Sequence, residues 1–482
     1  MVDKTNKIPF TQLLLQYSNT ALNIIFPLIL FPYMTRTLGP AGYGIIGFYE
    51  SMMLVVNVLA AFGVNYYGLR LLSKSAIGDN DQSNTVLHLF LINVLMATLG
   101  MLTYLAYVIN RTVQIGSGEI TFLYAYVMVI YMLHADWYFQ SQEKYKFLLQ
   151  RTFILRLFVL ISTLIFIRKP EHLMYYLLIS AINYTLLAGS TIWNIRDLFP
   201  HWKWDPALFR KLLKALLPFA LLGVLSSLYF TLDTIILART GKVADLGQYT
   251  VAAKIVRLGL NVFVGASIVF FVKLFRNAVD KRLQTNSILM TIHLSIPIGA
   301  LLFFFAGPTI QFVSGENYRP AISLLRIFSL LWIIVPLHDF FNIQVLMVHH
   351  REKLLVILYA IASLVSLVLN LLLIPVWFTT GAAIAVLITE SAVLVAGILL
   401  SRPYYKISRK VAKELVICLA AFPVAMLMAR FAEIITENDF LQLAIGITGF
   451  VAVYFSLQMI ILKNDFWLNL LHIASEKLQK KT

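Results

Sequence analysis

Three things are scarce in this chain. Charge is one: Asp, Glu, Lys and Arg make up 13% of 482 residues, against roughly 25% in ordinary soluble domains. Cysteine is another. Cys418 stands alone, which excludes an internal disulfide and any cysteine-based metal site. Long polar connections are the third. No break between apolar runs exceeds about 20 residues, which leaves no room for a water-soluble domain. Chemical motifs are missing as well. There is no glycine-rich Walker pattern, so ATP hydrolysis by that route is excluded. His134, His338, His349 and His350 lack metal-ligand spacing and sequence-local partners, and no close pair of carboxylates points to glycosyl transfer. Met1–Pro9 is short and basic, but the apolar run behind it lacks a small-residue cleavage pattern and reads as a first spanning helix.

Apolar side chains fill the place of what is absent. They form 60% of the chain, with 34 phenylalanines and a mean hydropathy of +0.80. That composition belongs in a bilayer. The runs divide into fourteen spans, each near the roughly 20 residues that cross the hydrocarbon. They cover 10–34, 43–67, 85–109, 119–140, 148–167, 172–195, 212–238, 246–272, 286–312, 323–347, 353–374, 380–401, 411–432 and 440–462. The expected fold is an all-α integral membrane protein of about fourteen transmembrane helices.

A net charge of +16 invites a nucleic-acid partner, but placement excludes it. Lys and Arg fall mostly in the breaks, and on alternate breaks. One set holds Lys4, Lys7, Arg70, Lys74, Lys144, Lys146, Arg151 and most of the rest. The other holds only Arg36, Arg111, Arg168, Lys169, Arg239, Lys242, Arg319 and Arg430. This asymmetry places both termini in the cytoplasm. Trp193, Trp202 and Trp204 suit an interfacial belt, and Pro206–Leu216 reads as a short amphipathic segment along the inner surface.

One stretch recurs. Arg36, Thr37 and Gly44 fall on Arg239, Thr240 and Gly247 at an offset of 203 residues. Asp136 falls on Asp339, and each precedes an aromatic pair, Trp137-Tyr138 and Phe340-Phe341. Two matches at one offset indicate a duplicated unit. The expected organisation is therefore two pseudo-symmetric six-helix bundles, residues 1–200 and 201–402. Residues 403–482 add helices 13 and 14 and a cytoplasmic tail.

Ionisable groups inside spans are costly facing lipid, so they should face protein or a water-filled cavity. Lys254 and Arg257 share one helix face and form the candidate cationic patch. Internal pairing with Glu50 or Asp233 is the structural alternative. Arg156, which snorkelling can bring to the surface, and Arg326 are further cationic candidates. Glu390 is mid-span with no sequence-local partner, and is the leading coupling carboxylate. Glu50, Asp233, Asp136 and Asp339 are coupling or gating candidates. Simple pairing of the last two with Lys144 or Arg351 is the plainer alternative. Pro27 and Pro32, five apart in the first span, and Arg36 and Arg239 in the recurring turn are candidate conformational residues.

The stretch Phe31-Pro32-Tyr33-Met34-Thr35-Arg36-Thr37-Leu38-Gly39-Pro40, with Gly42-Tyr43-Gly44, resembles the polysaccharide-biosynthesis flippases of the multidrug/oligosaccharidyl-lipid/polysaccharide exporter superfamily. So do Leu232-Asp233-Thr234-Ile235-Ile236-Leu237 and Gly247-Gln248-Tyr249-Thr250-Val251-Ala252-Ala253-Lys254-Ile255. Closest in kind are the O-antigen and repeat-unit translocases. The resemblance implies fourteen helices in two bundles around a central cavity, in the bacterial inner membrane. It implies export of undecaprenyl-diphosphate-linked oligosaccharide by alternating access, without enzymatic chemistry. A polysaccharide polymerase and a chain-length regulator are the implied protein partners. No cofactor is implied, and proton or sodium coupling stays open. Lipid II flippases carry arginines in their first helices, whereas this chain has none in its first span before Arg36. A lipid II or teichoic-type precursor, a drug or cation antiporter, and a membrane polymerase or ligase remain alternatives. The polymerase or ligase would need a longer outer loop than 110–118.

Overall fold

The computed structural model describes residues 10–74, 79–109, 116–240, 242–276, 280–464 and 466–468. The expected cytoplasmic positions of the two termini fall on 1–9 and 469–482, outside the described residues. Every regular element among the described residues is helical. Among the described residues ten helices are long and apolar enough to cross a membrane, which makes this a multi-pass, all-α membrane protein. The apolar surface agrees with that. Ile434 is 84% exposed and Phe122 64%, an arrangement that lipid tolerates and water does not.

Contacts divide the chain into two units, residues 1–250 with 366–378, and residues 251–365 with 379–482. In the first unit lie α1 (Phe10–Ala61), α2 (Val64–Lys74), α3 (Asp79–Ile109), α4 (Gly118–Tyr131), α5 (Asp136–Ser141), α6 (Tyr145–Phe166), α7 (Leu173–Ile195) and α8 (Pro206–Ala238). Helix α1 is its centre and packs on α3, α6 and α8. The first turns of α9 (Val243–Arg276) complete this unit, and the remainder of α9 enters the second. There follow α10 (Lys281–Phe304), α11 (Ala306–Ser314), α12 (Ala321–Ser329), α13 (Leu331–Asp339), α14 (Glu352–Ser401), α15 (Arg409–Cys418), α16 (Ala421–Ile435) and α17 (Asp439–Ser456). Here α10 is the hub, against α12, α13, α15 and α16.

Sequence chemistry explains where these helices start. Asp205 accepts from the backbone N–H of Ala207 and Leu208 at 2.9 and 3.0 Å, with Pro206 as the first helical residue. Asp280 and Asn438 cap α10 and α17 in the same way. The segment expected to lie along the surface, Pro206–Leu216, is instead the start of the continuous helix α8. Nothing after its cap interrupts the backbone ladder before Pro218.

Two long helices contain breaks. In α1 the break is Gly39, at φ 65° and ψ 179°, followed by Pro40. Glycine ends one helical stretch at a positive φ with extended ψ, a region essentially open to glycine alone, and proline opens the next. An added Cβ at Gly39 would meet nothing within 4 Å, so conformation alone requires glycine there. In α14 the break is Phe378, at φ 49°, and the Lys242 ammonium sits 3.7 Å from its ring centroid.

Just past Gly39, α1 crosses the start of α9 with almost no space. A Cβ on Gly44 would clash with the Val243 carbonyl oxygen, and one on Gly247 with the Pro40 carbonyl oxygen. Pro40 and Val243, like Gly44 and Gly247, are 203 residues apart. The two clashes are thus related by exchanging the two strands of the crossing.

Candidate functional site

Among the described residues of the first unit, three clusters of polar groups include candidate residues. Asp233 is 2% exposed. It accepts from the Thr234 N–H at 2.6 Å, from the Thr234 hydroxyl at 3.2 Å, and from the Tyr249 hydroxyl. Asp136 opens α5 and pairs with Arg151 of α6 at 2.5 Å. Arg151 is buried. Its guanidinium also reaches Thr191 and lies 5.4 Å from the Phe147 ring centroid. Asp136 therefore finds its cation on the facing helix rather than in Lys144, the sequence-local choice. Glu50 is exposed and lines a cavity of about 50 Å³ with Tyr124, Tyr176, Ser180 and Tyr184. Tyr49 stacks on Tyr124 at 4.2 Å.

The other candidates in this unit lie apart from these clusters. Arg156 is half-buried and donates to the Asn23 side-chain oxygen at 3.0 Å. Arg36 and Arg239 are exposed at the recurring turns. Pro27 and Pro32 sit inside α1, which stays helical through both. The Thr35 hydroxyl donates to the carbonyls of Phe31 and Pro32, at 3.0 and 3.1 Å.

The second unit holds Lys254 and Arg257 on α9, one turn apart, the first half-buried and the second exposed. Arg326 is exposed in the last turn of α12. Glu390 is buried at 6% exposure, with the His338 Nε2 at 3.0 Å. The contact is within ion-pair distance but poorly aligned, and Glu390 Oε2 makes no directed hydrogen bond. On the other side of the ring, His338 Nδ1 is 3.5 Å from Asp339 Oδ1. Glu390, His338 and Asp339 thus form an acid–imidazole–acid cluster inside two membrane-crossing helices.

Sequence reasoning missed His338 as a partner. It is 52 positions from Glu390 in the chain, and the only available signal was its place beside Asp339. The backbone marks both His–Asp sites. The first follows a tight 3-10 turn, Met132–His134, and a left-handed Ala135. The second leads into a wide π-helical stretch, Phe340–Met347, a distortion often found at functional sites. Among the described residues, no group of three or more His, Cys, Asp or Glu side chains has the geometry to hold a metal ion.

Residues 14–271, more than half of the chain, match the family model described as polysaccharide biosynthesis protein. A putative O-antigen transporter of Escherichia coli (strain K12) is 25% identical over 397 residues, covering 77% of this chain and 91% of that protein. One from Shigella dysenteriae is 22% identical over 385 residues, covering 76% and 93%. The fold is similar to that of the lipid II flippase MurJ in an inward closed conformation. The TM-score is 0.73 at 15% identity, over 94% of this chain and 100% of the other. It is also similar to an inward-facing multidrug resistance MATE family transporter of the MOP superfamily, with a TM-score of 0.60 at 16% identity, over 82% and 95%.

Proposed function

The chain belongs to the polysaccharide biosynthesis protein family, and from that premise we propose that it is a flippase for undecaprenyl-diphosphate-linked oligosaccharide repeat units. It moves them from the inner to the outer leaflet of a bacterial cytoplasmic membrane by alternating access. What carries the reading is coverage: the match runs through nearly the full length of two putative O-antigen transporters. A whole transporter is shared, rather than one module.

The proposed architecture has fourteen spans. The ten clear helices include two that are broken, at Gly39 and Phe378, and each of those counts as two spans. Helices α8 and α9 supply the other two. The exchange-related crossing at Gly44 and Gly247 supports two pseudo-symmetric bundles, 1–200 and 201–402, with 403–482 appended. The basic residues favour cytoplasmic termini. A polysaccharide polymerase and a chain-length regulator are the proposed partners.

Lys254 and Arg257 meet the diphosphate in this reading, one as a point charge and the other as a fork of donors. Arg156 and Arg326 are the alternative cations. Glu390 with His338 carries the coupling proton or sodium ion. Asp339, Glu50, Asp233 and Asp136 support gating, and Pro27, Pro32, Arg36 and Arg239 support the conformational change.

Proteoliposomes test the proposal. Wild-type protein should flip a labelled undecaprenyl-diphosphate oligosaccharide. Lys254→Gln and Arg257→Gln should each slow it, and together more than either alone. Absence of flipping by the wild type, with lipid II or a cationic drug moved instead, would reassign the substrate. Wild-type rates in the double variant would move the diphosphate site to Arg156 or Arg326.

A further inference from the structure

A second cavity of the first unit takes no part in the scheme above. It has a volume of about 280 Å³. Asn57, Asn65, Asn93, Tyr131, His134 and Trp137 line it, and of these Asn65 is exposed. No Asp, Glu, Lys or Arg is among the described residues lining it. It therefore lacks the cations that would offset a diphosphate, and equally a carboxylate to pair with a cationic drug.

The lining chemistry suits a different group. The amides of Asn57 and Asn65 offer donors and an acceptor, which is what a sugar hydroxyl, itself donor and acceptor, requires. Tyr131 and Trp137 add large flat apolar surfaces that can cover the C–H face of a pyranose ring. The volume lies just below the roughly 300–1,000 Å³ of pockets for drug-sized ligands. It therefore fits one or two sugar rings rather than a whole repeat unit.

Two further features point to an occupant. Asn57 Oδ1 and Trp137 Nε1 are buried, belong to lining residues, and have no hydrogen-bond partner in the protein. Leaving such groups unsatisfied is costly; neither atom is open to the cavity in this structure, so a ligand hydroxyl reaches them only when the side chain turns. Two non-glycine residues at or beside this cavity hold a positive φ, the lining residue Ala135 at 35° and its neighbour Phe62 at 44°. Strain of this kind gathers at ligand clamps. Asn93 has another task, since its amide donates to the carbonyls of Ala60 and Ala61 at 3.0 and 3.1 Å. It holds the end of α1 in place, next to the strained turn.

We propose that this cavity is a subsite for a neutral sugar ring of the lipid-linked glycan. The inference rests on the flippase reading and adds to it the separation of duties between a cationic site for diphosphate and an uncharged site for sugar.

Lipid binding to the full chain in nanodiscs, read by native mass spectrometry, tests it. The probes are undecaprenyl diphosphate alone and the same lipid bearing N-acetylglucosamine, glucose or galactose. Wild type should hold at least one sugar-bearing lipid more tightly than the bare one. Asn57→Ala and Trp137→Phe should each reduce that preference about three- to tenfold, the range of one lost hydrogen bond, and leave bare-lipid binding unchanged. Equal binding of all four lipids by the wild type, or equal loss of bare and sugar-bearing lipid in the variants, overturns the subsite and leaves the flippase reading standing. If the wild type neither binds nor flips any of them, the flippase reading itself falls. Should the variants misfold, a photoreactive sugar on the lipid decides the matter in the wild type. Adducts within 57–65 or 131–137 support the subsite, and adducts solely elsewhere overturn it.

Discussion

Glu390 and His338 share their environment unevenly, and that sets what each substitution should do. A buried carboxylate is stable only with a partner. Glu390→Gln removes the charge and keeps the shape, and the remaining imidazole can stay neutral. Its cost in stability should be within about 1 kcal/mol. His338→Ala leaves Glu390 buried without the imidazole 3.0 Å away and should cost more, about 3–5 kcal/mol for one partner removed from a buried pair. Thermal unfolding of the purified variants checks the order, and equal losses would remove the ion-pair description. In transport, Glu390→Gln should flatten the dependence of flipping on pH or sodium. An unchanged profile at normal protein levels would rule out coupling through Glu390. The sequence marked Glu390 because a mid-span acid is conspicuous. It could not mark His338 as the partner, since that contact depends on how α14 packs beside α13.

For the helices, the glycines at 39, 44 and 247 separate two reasons for the same residue type. Gly39 is needed for its positive φ, with open space around it. Gly39→Ala should cost about 1–3 kcal/mol, the strain of a side chain held at positive φ with extended ψ. Gly44→Ala and Gly247→Ala force a methyl against a backbone carbonyl that cannot turn aside, and helices must separate to admit it. Overpacking of this kind costs about 1–3 kcal/mol, and the loss should grow with Gly44→Leu while Gly39→Leu adds little. Unfolding midpoints across these variants measure it. A steeper size dependence at Gly39 than at Gly44 would contradict the crossing. The Gly39-Pro40 break was legible in the sequence, because local backbone chemistry creates it. The contact of Gly44 with Val243 was visible only as a recurrence, with no indication that the two copies touch.

Over the whole molecule, the testable quantity is sidedness. A cysteine at Gly116 should label with an impermeant reagent from outside, and one at Lys406 from inside, on a background with Cys418 replaced. Both sites are exposed, whereas Cys418 is fully buried with its sulfur 3.2 Å from His293 Nδ1. Labelling of both from one side would remove the fourteen-span arrangement. The same burial makes Cys418→Ala the background to use, since it leaves His293 its contact with Glu414 at 3.3 Å.

Properties that act locally or in bulk were settled by the sequence alone. Apolar runs of spanning length dictate helices in a bilayer, because backbone groups there must pair within the segment. Caps such as Asp205, the Gly39 break and the charge bias of the connections are decided within a few residues of themselves. The family-like stretches at 31–44 and 232–255 also lie on the surface of the text. Tertiary structure alone decided who meets whom. Arg151 rather than Lys144 answers Asp136, His338 answers Glu390, and three asparagines gather with Tyr131 and Trp137 around one cavity. These residues come from distant helices, and the rotation of each helix about its axis chooses its neighbours. That rotation is set by close packing of whole faces, as at Gly44 and Gly247, where a single added carbon would move it.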